Sequence, residues 1–191
     1  MDPLSIARAL REVSQYLQLK GEDFYKSRAY DFGADRMAGF SGDLDTLVRE
    51  GRLTELPNIG PALAEKITEL HRTGTLPLLE QLRAEFPPGI LELLRLPDLG
   101  SKKAAALHKA LGVGSIEQLE QACRDQRVRG LKGFGERSEQ KILAGIEQYR
   151  SAHARRRLGD VLPIAQALLS EVRAAPGVVR AEVAGSVRRW C

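Results

Sequence analysis

Leu56-Pro57-Asn58-Ile59-Gly60-Pro61-Ala62-Leu63-Ala64 returns as Leu96-Pro97-Asp98-Leu99-Gly100-Ser101-Lys102-Lys103-Ala104, with leucine, proline, an aliphatic residue, glycine and alanine at one constant offset. Matches at several places in a single register mark an internal repeat. A looser third copy, Leu131-Lys132-Gly133-Phe134-Gly135, lacks the proline and the alanine but leads into the helical spacing of Ile142, Ile146 and Tyr149. In such a pattern proline fixes φ on entry to a turn, and glycine is expected to take a backbone conformation that a Cβ would oppose. A helix that begins directly after the glycine turns its unpaired N–H groups and positive dipole end outward, where a phosphate oxygen can approach. A site of this kind reads the nucleic-acid backbone and not the bases. Gly60, Ala62, Gly100, Lys102, Lys103, Gly133 and Gly135 are therefore the candidate DNA-backbone contacts, the two lysines adding direct charge attraction. The competing reading is a set of αα-hairpins that serve the core alone, with Ala64 and Ala104 allowing the helices to pack closely.

Around the repeat the periodicity is helical. Ile6, Leu10, Val13 and Leu17 predict an amphipathic helix over 4–20 that ends near Gly21, and a second helix is expected over 24–38. Ser41 and Asp43 stand ready to cap a short third helix before Gly51. Ser115-Ile116-Glu117-Gln118 has the spacing of a capping box and predicts a helix to about Cys123. Leu162, Ala165, Leu168, Leu169 and Val172 predict a last helix ending at Ala175-Pro176-Gly177, and Val178, Val179 and Val183 predict a strand behind it.

Hydrophobic residues make up 43% of the 191, enough to core one or two small domains. Of 29 Lys and Arg and 25 Asp and Glu, residues 1–80 hold 10 and 13, so that part is net −3 and the remainder net +7. Basic clusters at Lys102-Lys103, at Arg124, Arg127 and Arg129, and at Arg155-Arg156-Arg157 point to a polyanionic partner, although such runs also serve as solvated helix faces. Cys123 and Cys191 offer neither a disulfide framework nor paired metal ligands, and Cys123 reads as a buried thiol. His71, His108 and His153 lack ligand spacing and read as surface or packing residues. With no charged leader and no apolar run of the ~20 residues a span requires, a protein of the cytoplasm with no membrane association is expected.

Taken together these residues resemble the N-terminal portion of a bacterial family X DNA polymerase of the polymerase beta type. The resemblance implies a mainly α fold: a small lyase-like helix-hairpin-helix domain over 1–85, a DNA-gripping helix-hairpin-helix subdomain over 86–156, and over 157–191 the start of an α/β nucleotidyltransferase palm. Gly185-Ser186-Val187-Arg188-Arg189 is similar to the family's G-S-x-x-R turn, in which the serine and the last arginine hold the triphosphate of an incoming deoxynucleotide. Glycine lets backbone N–H groups approach phosphate, Ser186 offers a hydroxyl and Arg189 a charged fork. Arg157 stands where the family has a further triphosphate-contacting arginine, with Arg155 and Arg156 as neighbouring registers. In the family, Asp-x-Asp ligands for Mg2+ or Mn2+ follow this turn; no carboxylate follows Glu182 here, so polymerisation by this chain as given is not expected.

The resemblance implies a second chemistry. The family's small domain removes a 5′-deoxyribose phosphate through a Schiff base on a lysine at the position of Lys66, and binds the 5′-phosphate with residues matching Lys26 and Tyr30. An amine nucleophile must be neutral, which calls for burial or cationic neighbours. The family's additional lysine is Ala62 here, and Glu65 adjoins Lys66. Monovalent cations, Na+ or K+, are implied at the hairpins, on the carbonyls of Thr54, Leu56 and Ile59 and of Leu94, Leu96 and Leu99. The leading expectation is a monomer that binds gapped, nicked or primer-template DNA as part of a repair polymerase lying with the bacterial nucleoid. The alternative is a noncatalytic tandem helix-hairpin-helix scaffold of repair or recombination.

Overall fold

The computed structural model describes residues 1–22, 24–153, 158–185 and 188. Its helices are α1 (Pro3–Lys20), α2 (Phe24–Ala38), α3 (Leu44–Glu50), α4 (Pro61–Thr73), α5 (Pro77–Glu85), α6 (Ile90–Leu93), α7 (Ser101–Leu111), α8 (Ile116–Arg124), α9 (Glu136–His153) and α10 (Leu158–Ala174), with a 3-10 turn at Leu53–Glu55. They divide into two compact units, Met1–Tyr149 and Arg150–Cys191.

In the first unit α1 is the central strut. Its stripe of Ile6, Leu10, Val13 and Leu17 is fully buried, and α2, α4, α5 and α7 all pack on it. The caps at the starts of α1 and α3 are side-chain hydrogen bonds. Asp2 accepts from Ser5 N at 3.0 Å to start α1, and Asp43 accepts from Thr46 N at 3.1 Å to start α3. Gly21 and Gly51 close those helices in the left-handed conformation. The Ser115 hydroxyl caps α8, but Gln118 reaches one residue further back than a capping box requires and accepts from Gly114 N at 2.8 Å.

Close approaches fix how the elements meet. A Cβ on Gly33 of α2 would come within 2.5 Å of the Leu63 side chain, so α2 lies directly on the first turn of α4. One on Gly114 would strike the Pro87 ring at 2.5 Å, which locks the loop before α6 onto the loop before α8. Gly145 of α9 lies against Pro97, 3.3 Å from the ring when given a Cβ, and so brings the third repeat's helix onto the turn of the second. Arg83 of α5 donates from both Nε and Nη2 to Glu12 of α1, each at 2.7 Å.

The second unit corrects one expectation. Residues 178–183 form no strand, and none occurs among the described residues. Valine-rich spacing is a preference for a half-buried ladder, and Val179 is fully exposed with no neighbouring strand to supply the hydrogen bonds. Instead Arg173 Nε donates to Ala181 O at 3.0 Å, folding this segment back toward the end of α10. Ile164, Leu168 and Val172 line an exposed apolar face of α10.

Candidate nucleic-acid interface

The three repeats fold into the same turn. In each, the first residue's carbonyl accepts from the N–H of the fourth: Ile59 N to Leu56 O at 3.1 Å, Leu99 N to Leu96 O at 3.3 Å, and Phe134 N to Leu131 O at 3.0 Å. The fifth residue then starts the next helix, its carbonyl accepting from Ala64 N, Ala104 N and Glu139 N at 2.9, 3.0 and 3.0 Å. Ile59 and Leu99 are buried and Phe134 partly so, anchoring each turn in the core. The third repeat therefore has the backbone of the other two without their proline.

The left-handed residue is not the one expected. Gly60 and Gly100 have φ of −81° and −74°, ordinary extended backbone. The positive φ falls two residues earlier, on Asn58 at 66°, Asp98 at 60° and Gly133 at 85°. Proline in second place and positive φ in third follow the type II turn pattern, which asks for glycine or asparagine there. The helix-starting glycine has another role: a Cβ at Gly60, Gly100 or Gly135 would meet nothing within 4 Å. The missing side chain leaves clear space in front of the helix end, where a methyl group would otherwise stand.

Neither α4 nor α7 has a side chain capping its N-terminus. In α4 Pro61 removes one N–H and Leu63 N turns back to Gly60 O at 3.1 Å, which leaves Ala62 as the outward donor. Ser101 replaces that proline in α7, so the second hairpin has one more donor. Lys102 is exposed, while Lys103 Nζ donates to Asp98 O at 3.0 Å and is held against its own turn. Part of the expected basic surface is spent internally: Arg124 pairs with Glu120 at 2.6 Å, and Arg129 pairs with Glu139 at 2.6 Å. Glu139 is 2% exposed and also accepts from Arg129 N, so this pair braces the entry to the third turn. The sequence reading missed Arg137 and Lys141 on α9, which border the second hairpin.

Lys26 and Tyr30 lie one turn apart on α2. Burial pushes the Tyr30 phenol above its ordinary pKa, keeping a neutral O–H available as a donor. Lys26 Nζ binds Glu22 at 2.8 Å, and that bond, above all, holds the Glu22 carboxyl below its usual range. Lys66 lies one turn behind Ala62 on α4, with its nearest carboxylate Glu69 at 4.0 Å. No hydrogen bond or ion pair joins Lys66 to Lys26 or Tyr30, although Gly33 and Leu63 hold their two helices together.

Leu56 O and Leu96 O, two of the carbonyls expected to meet a cation, each accept the hydrogen bond of their own turn with one lone pair. Two histidines make structural contacts: His71 bridges Met1 O at 2.9 Å and Asp45 at 2.7 Å, and His108 meets Val113 O at 3.0 Å. Burial pushes the Cys123 thiol up to about 11, as expected of an unreactive core cysteine. Gly185 is exposed with φ of 69°, while Arg157, Ser186 and Arg189 lie outside the described residues.

Comparison with known proteins bears directly on these turns. The helix-hairpin-helix domain family matches residues 1–76, and the SAM-like helix-hairpin-helix tandem matches residues 90–148. Residues 1–76 and 90–148 are helix-hairpin-helix domains in tandem. Over 189 residues, 99% of this chain, it is 35% identical to the DNA polymerase/3'-5' exonuclease PolX of Bacillus subtilis strain 168. It is similar to the N-terminal part of that family X polymerase and spans 33% of its length. No helix among the described residues of the tandem is long and apolar enough to cross a membrane.

Proposed function

We propose that this helix-hairpin-helix tandem binds the sugar-phosphate backbone of gapped, nicked or primer-template DNA without regard to sequence, as the N-terminal part of a repair polymerase. The observation that carries the reading is the threefold repetition of one turn whose helix-starting glycine leaves the helix end uncovered. A turn serving only the core would gain nothing from that open volume. Competition binding to duplexes of different sequence at several salt concentrations tests it. Affinity that is independent of sequence and falls steeply with salt is expected; a strong sequence preference would defeat the proposal.

In this reading residues 1–85 form the small domain and take the 5′-phosphate of a gap on Lys26 and Tyr30. Lys26 exchanges Glu22 for the phosphate, and Tyr30 donates its O–H. Gapped DNA with a 5′-phosphate is expected to bind more tightly than the same DNA with a 5′-hydroxyl. Lys66 is the candidate Schiff-base nucleophile for releasing a 5′-deoxyribose phosphate; its side chain is only partly exposed, while Glu69 at 4.0 Å favours the charged amine and would have to give way for the nitrogen to react. Borohydride trapping on an incised abasic site that is lost in Lys66→Ala would assign it.

Residues 86–156 would grip the duplex, with Na+ or K+ on the hairpin carbonyls, and 157–191 would begin a nucleotidyltransferase palm. The exposed apolar face of α10 at Ile164, Leu168 and Val172 suits a helix that packs on further palm structure. Arg157, Gly185, Ser186 and Arg189 would contact the deoxynucleoside triphosphate. Among the described residues no group of three or more His, Cys, Asp or Glu side chains could hold a metal ion. A full-length polymerase of this kind would use Mg2+ or Mn2+. A monomer in the bacterial cytoplasm completes the proposal.

A further inference from the structure

Between the second hairpin and α9 lies a cleft of about 360 Å³ lined by Asp98, Lys103, Arg137, Ser138, Lys141 and Ile142. Three cations face one carboxylate there. The Pro97–Gly145 approach, which fastens α9 to this turn, fixes the width of the cleft. Lys103 is tethered by its bond to Asp98 O, Lys141 sits 3.6 Å from the Asp98 carboxylate, and Arg137 has no ion-pair partner among the described residues. The cations come from two different repeats, so a ligand seated here touches both hairpins of the tandem.

Asp98 is the informative residue. The turn requires a residue that tolerates φ near 60°, and the same place holds Asn58 in the first repeat and Gly133 in the third. Backbone geometry therefore does not call for a carboxylate. Its side chain is exposed and makes only the long contact to Lys141, so it adds little to stability. What it contributes is a negative charge inside a cationic cleft.

We propose that this cleft seats one phosphate of a nucleic-acid backbone on Arg137, Lys141 and Lys103, and that Asp98 is a built-in competitor occupying Lys141 until that phosphate arrives. The proposal rests on the DNA-binding reading of the hairpins and adds to it a side-chain site shared by two of them. A carboxylate left close to a bound phosphate repels it, so the cleft holds the duplex less tightly than its cations allow, as suits a protein that must move along DNA.

The test measures affinity of the full chain for a labelled blunt 20-base-pair duplex over a salt series. Asp98→Asn, whose side chain the first repeat already accommodates at this φ, should bind about fivefold more tightly, the scale of one unit charge a few ångströms away in water. Arg137→Gln and Lys141→Gln should each weaken binding and each lower the log–log salt slope by about one. Much of the Asp98→Asn gain should vanish when Lys141→Gln is also present. Inorganic phosphate should displace the duplex no better than chloride at equal ionic strength. Saturable phosphate binding that leaves DNA affinity untouched would overturn the proposal in favour of a free-phosphate site. If the wild type binds and all three single variants match it, the cleft is refuted and the hairpin reading survives. If no form binds the duplex, both fail. Circular dichroism of each variant, expected to match the wild type, separates these results from loss of fold.

Discussion

Asn58, Asp98 and Gly133 carry the left-handed backbone of the three turns, while Gly60, Gly100 and Gly135 carry their openness. The two roles separate experimentally. Asn58→Ala keeps a Cβ at positive φ but loses the short polar side chain that makes asparagine tolerant of it, and should cost about 1 kcal/mol in urea unfolding, whereas Asn58→Gly should cost less. Gly60→Ala, at φ of −81° with free space for the methyl, should leave the unfolding midpoint nearly unchanged yet weaken duplex binding several-fold. Equal loss of stability in both alanine variants would contradict this division. The sequence made the turn legible because proline and glycine punctuate it, but it assigned the left-handed conformation to the wrong residue. Glycine is so strong a marker of positive φ that the Asn and Asp two places earlier, which also tolerate it, went unread.

At the scale of elements, caps and apolar spacing were enough to place α1, α2, α3 and α8 almost to the residue, since each signal is local. The Asp2 and Asp43 carboxyls are held below the usual carboxylate range chiefly by hydrogen bonds from the Ser5 and Thr46 side chains. A carboxyl depressed in the folded state adds stability that is complete above its unfolded pKa and lost as pH falls through the folded value. The melting temperature should therefore drop below about pH 4, and part of that slope should disappear in Asp43→Asn. A drop of the same size in that variant would assign the acid sensitivity elsewhere. The strand expected at 178–183 failed for the opposite reason. Strand formation depends on a partner supplied by distant sequence, and valine spacing alone cannot provide it. Arg137 and Lys141 were missed likewise, because only the packing of Gly145 on Pro97 brings them to the second hairpin.

For the whole molecule, a chain ending at Tyr149 keeps the central strut α1, the three hairpins and the packing around them. It should unfold with an undiminished cooperative transition and keep sequence-independent duplex binding, weakened by the loss of the arginines beyond residue 149; a molten baseline or abolished binding would tie the hairpins to residues 150–191. Of the net +7 beyond residue 80, residues 81–149 hold only +2 and residues 150–191 hold +5, so the attraction of the hairpins for DNA rests on where their cations stand and not on net charge. The uncovered helix ends have a kinetic consequence as well. Amides at Ala62, Ser101 and Lys102 donate to no protein acceptor among the described residues, so in the free protein their hydrogens should trade with solvent deuterium at nearly the rate of an unfolded chain, inside an otherwise protected fold. A duplex that occupies those positions should slow that trade where the phosphates rest, giving each hairpin its own clock for how long the strand stays.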